Sequence, residues 1–501
     1  MLKSSLLEIL RTFTKPELIK FGDFVRSPYF NKKENVTKLF LEIKKYAPEF
    51  SDENLAKEKI WVKVFPGKEY NYGIMKNLIH DLSKLSESFI TNEYTKSQKL
   101  RNNTDLLAAL LERHITKVFL SKYDIVEKSY DVLVFKNESF RINEFYDSMN
   151  KLNYLKAMYN KLYVPASAPF DSISESGIYF IYTVIVNSYK NYNNYLALND
   201  KEIIDKDNIN EMFMTGLNKY IITELLDKVK SKSGRDYLIL KCFYEINVSL
   251  SSEADISDYF SFKKSLEDCT DILSKNDLRD LLTCLSNSLH NIREGKTNTG
   301  INSNKEMMEI YNMEIDNNVF LWQNGLMAQN AYMSYIITAF TLREYESIEK
   351  LRTKFRNKIP EDKRENVDLY CLAHISFGKK EFNKSLEYLS MIDHDFFNMK
   401  HLIKDIQMMN YYELSDYISF SYTLDSYRHF VSKNKSVKPH NKSLSEVFCS
   451  NINKLFKLRE SFDLYELGKF RKEIEENKLI NKYWILDKIS EIESGNKKVK
   501  S

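Results

Sequence analysis

Apolar residues recur at three- and four-residue spacing from one end of this chain to the other, the period of helices with one buried face. The opening "MLKSSLLEILRTF" carries Glu8 and Arg11 within its apolar pattern and has no small-residue cleavage site. It reads as an amphipathic helix and not as a signal peptide. Leu18, Phe21 and Val25 form the next stripe, introduced by Thr14-Lys15-Pro16-Glu17, the residues of a capping box. Pro28 disfavours helical geometry at Ser27 and ends that helix. Asn31, with Glu34 three residues on, is placed to cap a helix that buries Val36, Leu39, Phe40 and Ile43 and stops before Pro48. In this corner, "RSPYFNKKENV", Phe30 stands where a hydrophobic staple begins. The usual partner position is Asn35, so Val36 is the expected contact, and Tyr29 is expected to pack back onto the first helices. A third stripe, Leu55, Ile60, Trp61 and Val64, is broken by Phe65-Pro66-Gly67. A fourth carries Met75, Leu78, Ile79, Leu82, Leu85 and Phe89.

Polar, aperiodic "TKSQKLRNNT" reads as a link, after which helical patterns resume at Leu106, Leu107, Leu110 and Leu111 and run to Tyr163. Further breaks fall at "VPASAPFDSISES", at the basic loop "KVKSKSGRD" and at "REGKTNTGINSNK". The longest uncharged stretch, "SGIYFIYTVIVNSY" (176–189), has the Ile, Val and Tyr content of a strand. Its length and Tyr-rich continuation favour a buried helix. A bilayer span needs about 20 residues, so it is too short for one. The breaks divide the chain into an N-terminal helical bundle (1–94), a middle helical region (105–300) and a repeat region (306–495).

The repeat region holds the clearest order. "YMSYIITAFTLREYESIEKLRTKF" and "LYCLAHISFGKKEFNKSLEYLSMI" align on Tyr345 and Phe382, 37 residues apart, and "IKDIQMMNYYELSDYISFSYTLDSYRHF" puts Tyr417 in register 35 further on. Each copy is a helix, a short polar turn, an aromatic and a second helix. Such a unit cannot bury its apolar face alone and stacks on its neighbours. The spacing resembles degenerate tetratricopeptide repeats of about 34 residues. Leu369, Leu372, Ala373, Phe382, Ser385, Leu389 and Ile392 fall at that repeat's packing positions in the second copy, and Tyr332, Tyr335, Tyr345 and Pro360 in the first. The usual small residue at the helix crossing is Ser385 in the second copy but Ile348 in the first and Phe420 in the third. Wider or rearranged packing is expected in those two hairpins. The expected fold is therefore all-α, with the N-terminal bundle followed by an α-solenoid of tetratricopeptide-like hairpins. The N-terminal "FTKPELIKFGDFVRSPYFNKKENV" and "KIWVKVFPGKEYNYGIMKNLIHDL" also resemble a group of large all-helical Bacteroidota-type bacterial proteins with a SPYFN corner and an FPG turn. That resemblance implies a shared architecture and no chemistry.

Composition supports this picture. Gly (12) and Pro (8) are scarce in 501 residues, where average usage is roughly 12% for the pair. Few punctuators mean long helices. The 33 Tyr and 31 Phe give ample area to bury. Lys+Arg (74) nearly balance Asp+Glu (70), and a net charge of +4 is no electrostatic footprint for nucleic acid. The five cysteines, Cys242, Cys269, Cys284, Cys371 and Cys449, are odd in number and far apart in sequence. They fit a reducing compartment, and the chain is read as soluble and cytoplasmic.

Candidate chemistry changes little. Gly295-Lys296-Thr297 ends like a phosphate loop, but His290 stands where the pattern needs glycine, and no strand precedes it. His394 and His401, with Asp395 and Asp405, fall short of a converging ligand set and read as a polar turn. The outer face of the fourth helix, Lys76, Asn77, His80, Asp81, Lys84 and Glu87, mixes acids with bases as a solvated face does, not a groove-reading one. "KLRTKFRNKIPEDKRE" places cations late in one helix and acids early in the next, matching the helix dipoles. "NKSVKPHNK" is a basic loop, Cys371 in "LYCLAHI" a core thiol. Tyr411-Tyr412 and Tyr189, Tyr192, Tyr195 read as core edges that could line a groove. The sequence thus assigns no catalytic, cofactor-binding or metal-ligating residue and no cofactor. It points to a non-enzymatic scaffold that binds a protein or peptide partner on the concave face of its repeats. The alternative is a nucleic-acid-binding regulator using the N-terminal helices.

Overall fold

A computed structural model describes residues 4–51, 53–136, 141–164, 169–198, 209–250, 254–295, 301–322, 325–327, 329–393, 400–433, 439–461, 463–476 and 481–499. These residues form 24 α-helices and no strand, so the protein is all-α. Among them no helix is long and apolar enough to cross a membrane. The chain divides into two compact units: Met1–Asp131 with Glu144–Ile181, and Val132–Asn143 with Tyr182–Ser501.

In the first unit, α1 (Ser5–Arg11), α2 (Lys15–Arg26) and α3 (Glu34–Lys44) pack on the long α5 (Tyr72–Ser97), with α4 (Lys57–Val64) against α3. Phe21 is the hub. Its ring lies 5.4 Å from Phe13, 4.9 Å from Phe40 and 5.3 Å from Phe89, in the edge-on and tilted arrangements aromatic rings prefer. The capping box at Thr14 forms: its hydroxyl accepts from the Glu17 amide, and the Glu17 carboxylate accepts from the Thr14 amide at 2.7 Å. Gly67 takes φ +74 in the Phe-Pro-Gly turn, and the Trp61 indole N–H closes that turn on the Lys68 carbonyl at 2.9 Å.

The corner after α2 departs from its sequence reading. Asn31 does not cap α3. Its amide donates to the Val25 carbonyl at 2.9 Å and its oxygen accepts from the Lys33 amide, so it staples the end of α2 to the start of α3. Phe30 stacks on Phe24, centroids 3.9 Å apart, instead of meeting Val36. Tyr29 is 86% exposed and touches only the edge of Phe30, so it does not pack onto the helices. "TKSQKLRNNT" is not a link either. Helix α5 runs to Ser97 and α6 (Lys99–Glu112) starts at Lys99, because Thr104, Leu107 and Leu111 give even this polar stretch a buried face.

The uncharged stretch lies in α9 (Pro169–Leu198) and is helical, but only one side is buried. Tyr182, Ile185, Val186 and Tyr189 are inside, while Phe180, Ile181 and Val184 face solvent. In the second unit Asp277 is fully buried on α14 (Lys275–Gly295). It bonds the Lys190 ammonium at 2.5 Å, the Ile142 amide at 2.7 Å and the Ser274 hydroxyl at 2.9 Å. A buried carboxylate met by a cation and two further donors satisfies its charge. From Gln329 onward the helices of the unit share one apolar core that extends from Met308 to Ile492.

Candidate functional site

Three successive hairpins carry the most regular geometry in the protein: α16 (Gln329–Thr341) with α17 (Tyr345–Phe355), α18 (Glu361–Gly378) with α19 (Phe382–Met391), and α20 (Lys400–Glu413) with α21 (Tyr417–Lys433). Each first helix ends in the same turn. Arg343, Lys380 and Ser415 take φ +63, +60 and +61, two residues before the aromatic that opens the second helix. In each, the next amide reaches back five residues: Glu344 to Ala339, Glu381 to Ser376 and Asp416 to Tyr411, at 2.8, 2.9 and 2.9 Å. The left-handed residue with this hydrogen bond satisfies carbonyls that the helix end leaves open. Gly378 adds a contact between hairpins, because a Cβ there would lie 2.4 Å from the Tyr345 ring.

Ser385 is fully buried, donates to the Ala373 carbonyl at 2.9 Å and accepts from Asn410 at 3.0 Å. It sits where α18 and α19 pack together. Arg352 and Arg356, from the basic end of the first hairpin, converge on Asp368 of α18 at 2.6 and 3.2 Å.

The first helices also pack on one another, α16 on α18, α18 on α20, and α20 on α22 (Pro439–Ser461). From Val367 to Phe377 every α18 side chain is buried except half-buried Leu372, and α20 shows no exposed side chain from Leu402 to Glu413. These two helices offer no open groove. Near their turns lies a small cleft of about 20 Å³, lined by Phe340, Tyr345, Phe377, Met409, Tyr483 and Trp484 among others. Helix α24 (Lys482–Val499) closes one side of it. Trp484 donates to Glu413 at 2.8 Å, Lys488 pairs with the same half-buried carboxylate, and Arg343 binds Asp487.

The core between these hairpins contains ionisable groups. His374 is buried with Nδ1 2.8 Å from the Tyr370 carbonyl, so Nδ1 carries the proton. Burial drives its pKa down to about 4. Asp405 is 4% exposed on α20. Burial raises its carboxyl to about 7, opposed by the Tyr427 hydroxyl that faces it. Sequence reasoning set Asp405 beside a polar turn. The signal that could have found it is its helical spacing with Met408, Met409 and Tyr412, which are core residues.

Of the other candidate positions, Cys371 is a buried core thiol pushed up to about 12 by burial. Tyr189 and Tyr412 are buried and line no groove. Lys76, Asn77, His80, Lys84 and Glu87 are exposed on α5, while Asp81 pairs with Lys33 at 2.8 Å. Lys296, Thr297, His394 and Asp395 lie outside the described residues, as does the stretch 434–438 of the basic loop. Among the described residues no three His, Cys, Asp or Glu side chains converge as a metal requires. On α21, Ile418 and Tyr422, one helical turn apart, are 71% and 76% exposed. Comparison with known proteins finds no matching family model, curated protein or solved structure.

Proposed function

We propose that this protein is a non-enzymatic, cytoplasmic helical-repeat scaffold of tetratricopeptide-like hairpins that binds a protein or peptide partner. The observation that carries this reading is the turn repeated at Arg343, Lys380 and Ser415, each followed by an aromatic that opens a second helix. Arrays of such hairpins serve as extended recognition surfaces. Because α18 from Val367 to Phe377 and α20 from Leu402 to Glu413 present no exposed side chain, the partner surface is assigned to the exposed side of α21 and not to these stretches. Ile418 and Tyr422 are its anchors, a large apolar side chain beside an amphipathic aromatic, the kind of group that dominates protein interfaces. The SPYFN corner and FPG turn support a common origin with the Bacteroidota-type helical proteins they resemble.

Affinity purification of the tagged chain from its native cell tests the reading. A stoichiometric partner is expected, and it is lost from an Ile418→Asp, Tyr422→Asp double variant whose thermal unfolding is unchanged. Repeated recovery of the bare chain would count against the scaffold. A partner retained by the double variant would count against α21 as the surface.

A further inference from the structure

We propose that Asp405 and Tyr427 form a pH-responsive joint between the second and third hairpins: protonated, the carboxyl lets α20 seat against its neighbours, and ionised, it drives them apart. The inference stands on the placement of Asp405 and does not depend on the proposed partner. The carboxyl is buried, and among the described residues no cation or backbone amide hydrogen-bonds to either oxygen. The group facing it is the Tyr427 hydroxyl from α21. From α18 comes Tyr370, whose ring meets that of His374 at 4.3 Å, and from α22 the Cys449 thiol; both feel the Asp405 charge. Arg428 of α21 and Glu446 of α22 act on that thiol. Helix α19 brings Ser385, which does not titrate and bonds Asn410. Lys404, adjacent on α20, is half-buried and forms no ion pair with Asp405. The groups that feel the Asp405 charge are phenols and a thiol, none of which neutralises a carboxylate. An unpaired buried charge costs far more than a buried neutral acid, so losing the proton to solvent is linked to opening of the joint.

The sign follows from linkage. The folded pKa lies above the unfolded one, so the stabilisation is complete below the unfolded value of 3.8 and is lost as pH rises to about 7. Denaturant unfolding of the full chain and of Asp405→Asn, run from about pH 5 to pH 9, tests this. The neutral isostere should gain on the wild type as pH rises, by up to about tenfold in the folding constant per pH unit, and the gain should level off beyond neutrality. Hydrogen exchange corrected for intrinsic rate should show α20 and α21 opening more in the wild type at the higher pH, but not in Asp405→Asn. Tyr427→Phe keeps the acid and removes the hydroxyl that faces it and lowers its pKa, so the transition should move to higher pH. A wild-type to Asp405→Asn ratio that is constant across the range would overturn the proposal. Should Asp405→Asn fail to fold, an unmoved transition in Tyr427→Phe would do the same.

Discussion

Single residues show how context reverses a generic preference. Replacing a helix glycine with alanine ordinarily stabilises, since Gly costs about 1 kcal/mol relative to Ala in a helix interior. Gly378 closes α18, yet its missing Cβ is where the Tyr345 ring of the preceding hairpin sits, and the ring atoms approached are Cγ and Cδ, close to its attachment. Gly378→Ala should therefore destabilise by about 1–3 kcal/mol, the usual cost of overpacking. Urea denaturation of Gly378→Ala and of the Gly378→Ala, Tyr345→Ala pair checks it, because the glycine effect should shrink once the ring is gone. The SPYFN corner teaches the same lesson. Asn31 looked like a cap, but the carbonyl it satisfies belongs to the preceding helix, six residues back.

At the level of helices and turns, three turns are alike in backbone shape more than in side-chain identity. Arg343, Lys380 and Ser415 share one left-handed turn although none is glycine. That conformation costs an L-residue about 1–2 kcal/mol. Glycine removes the strain while adding freedom to the unfolded chain, worth about 0.4–1 kcal/mol. Lys380→Gly should stabilise the protein by about 0.5–1 kcal/mol. Arg343→Gly should be near neutral, because Arg343 also holds the Tyr483 carbonyl and Asp487 of the last helix. Paired thermal melts of the two variants distinguish these outcomes, and an equal gain in both would show that the Arg343 contacts contribute nothing. Helix positions, the Phe-Pro-Gly break and the hairpin register were legible from periodicity and turn residues, which are local properties. The run from Thr95 to Thr104 was not, since a helix that buries one residue per turn can be polar everywhere else.

For the whole molecule, stability against pH is set by buried groups that sequence alone places no deeper than any others. His374 is neutral in the fold, with a pKa depressed to about 4 against 6.5. Its contribution is therefore present above 6.5 and lost as pH falls towards 4, opposite in sense to Asp405. The stability difference between the wild type and His374→Gln should shrink by up to about 3 kcal/mol on acidification through that window. Denaturation midpoints at several pH values measure it, and a difference independent of pH would place His374 in contact with solvent.

The sequence by itself determined the helical class, the scarcity of breaks and the placement of the helices and turns from Gln329 to Lys433, because each depends on residues within one or two helical turns. Only the tertiary structure decided which faces are covered. It covered α18 from Val367 to Phe377 and α20 from Leu402 to Glu413, left Tyr29, Ile418 and Tyr422 exposed, and buried Asp405. Periodicity tells a helix where its apolar stripe lies. How many neighbours cover the remaining surface depends on contacts between residues far apart in the chain, and a single helix's pattern does not contain them.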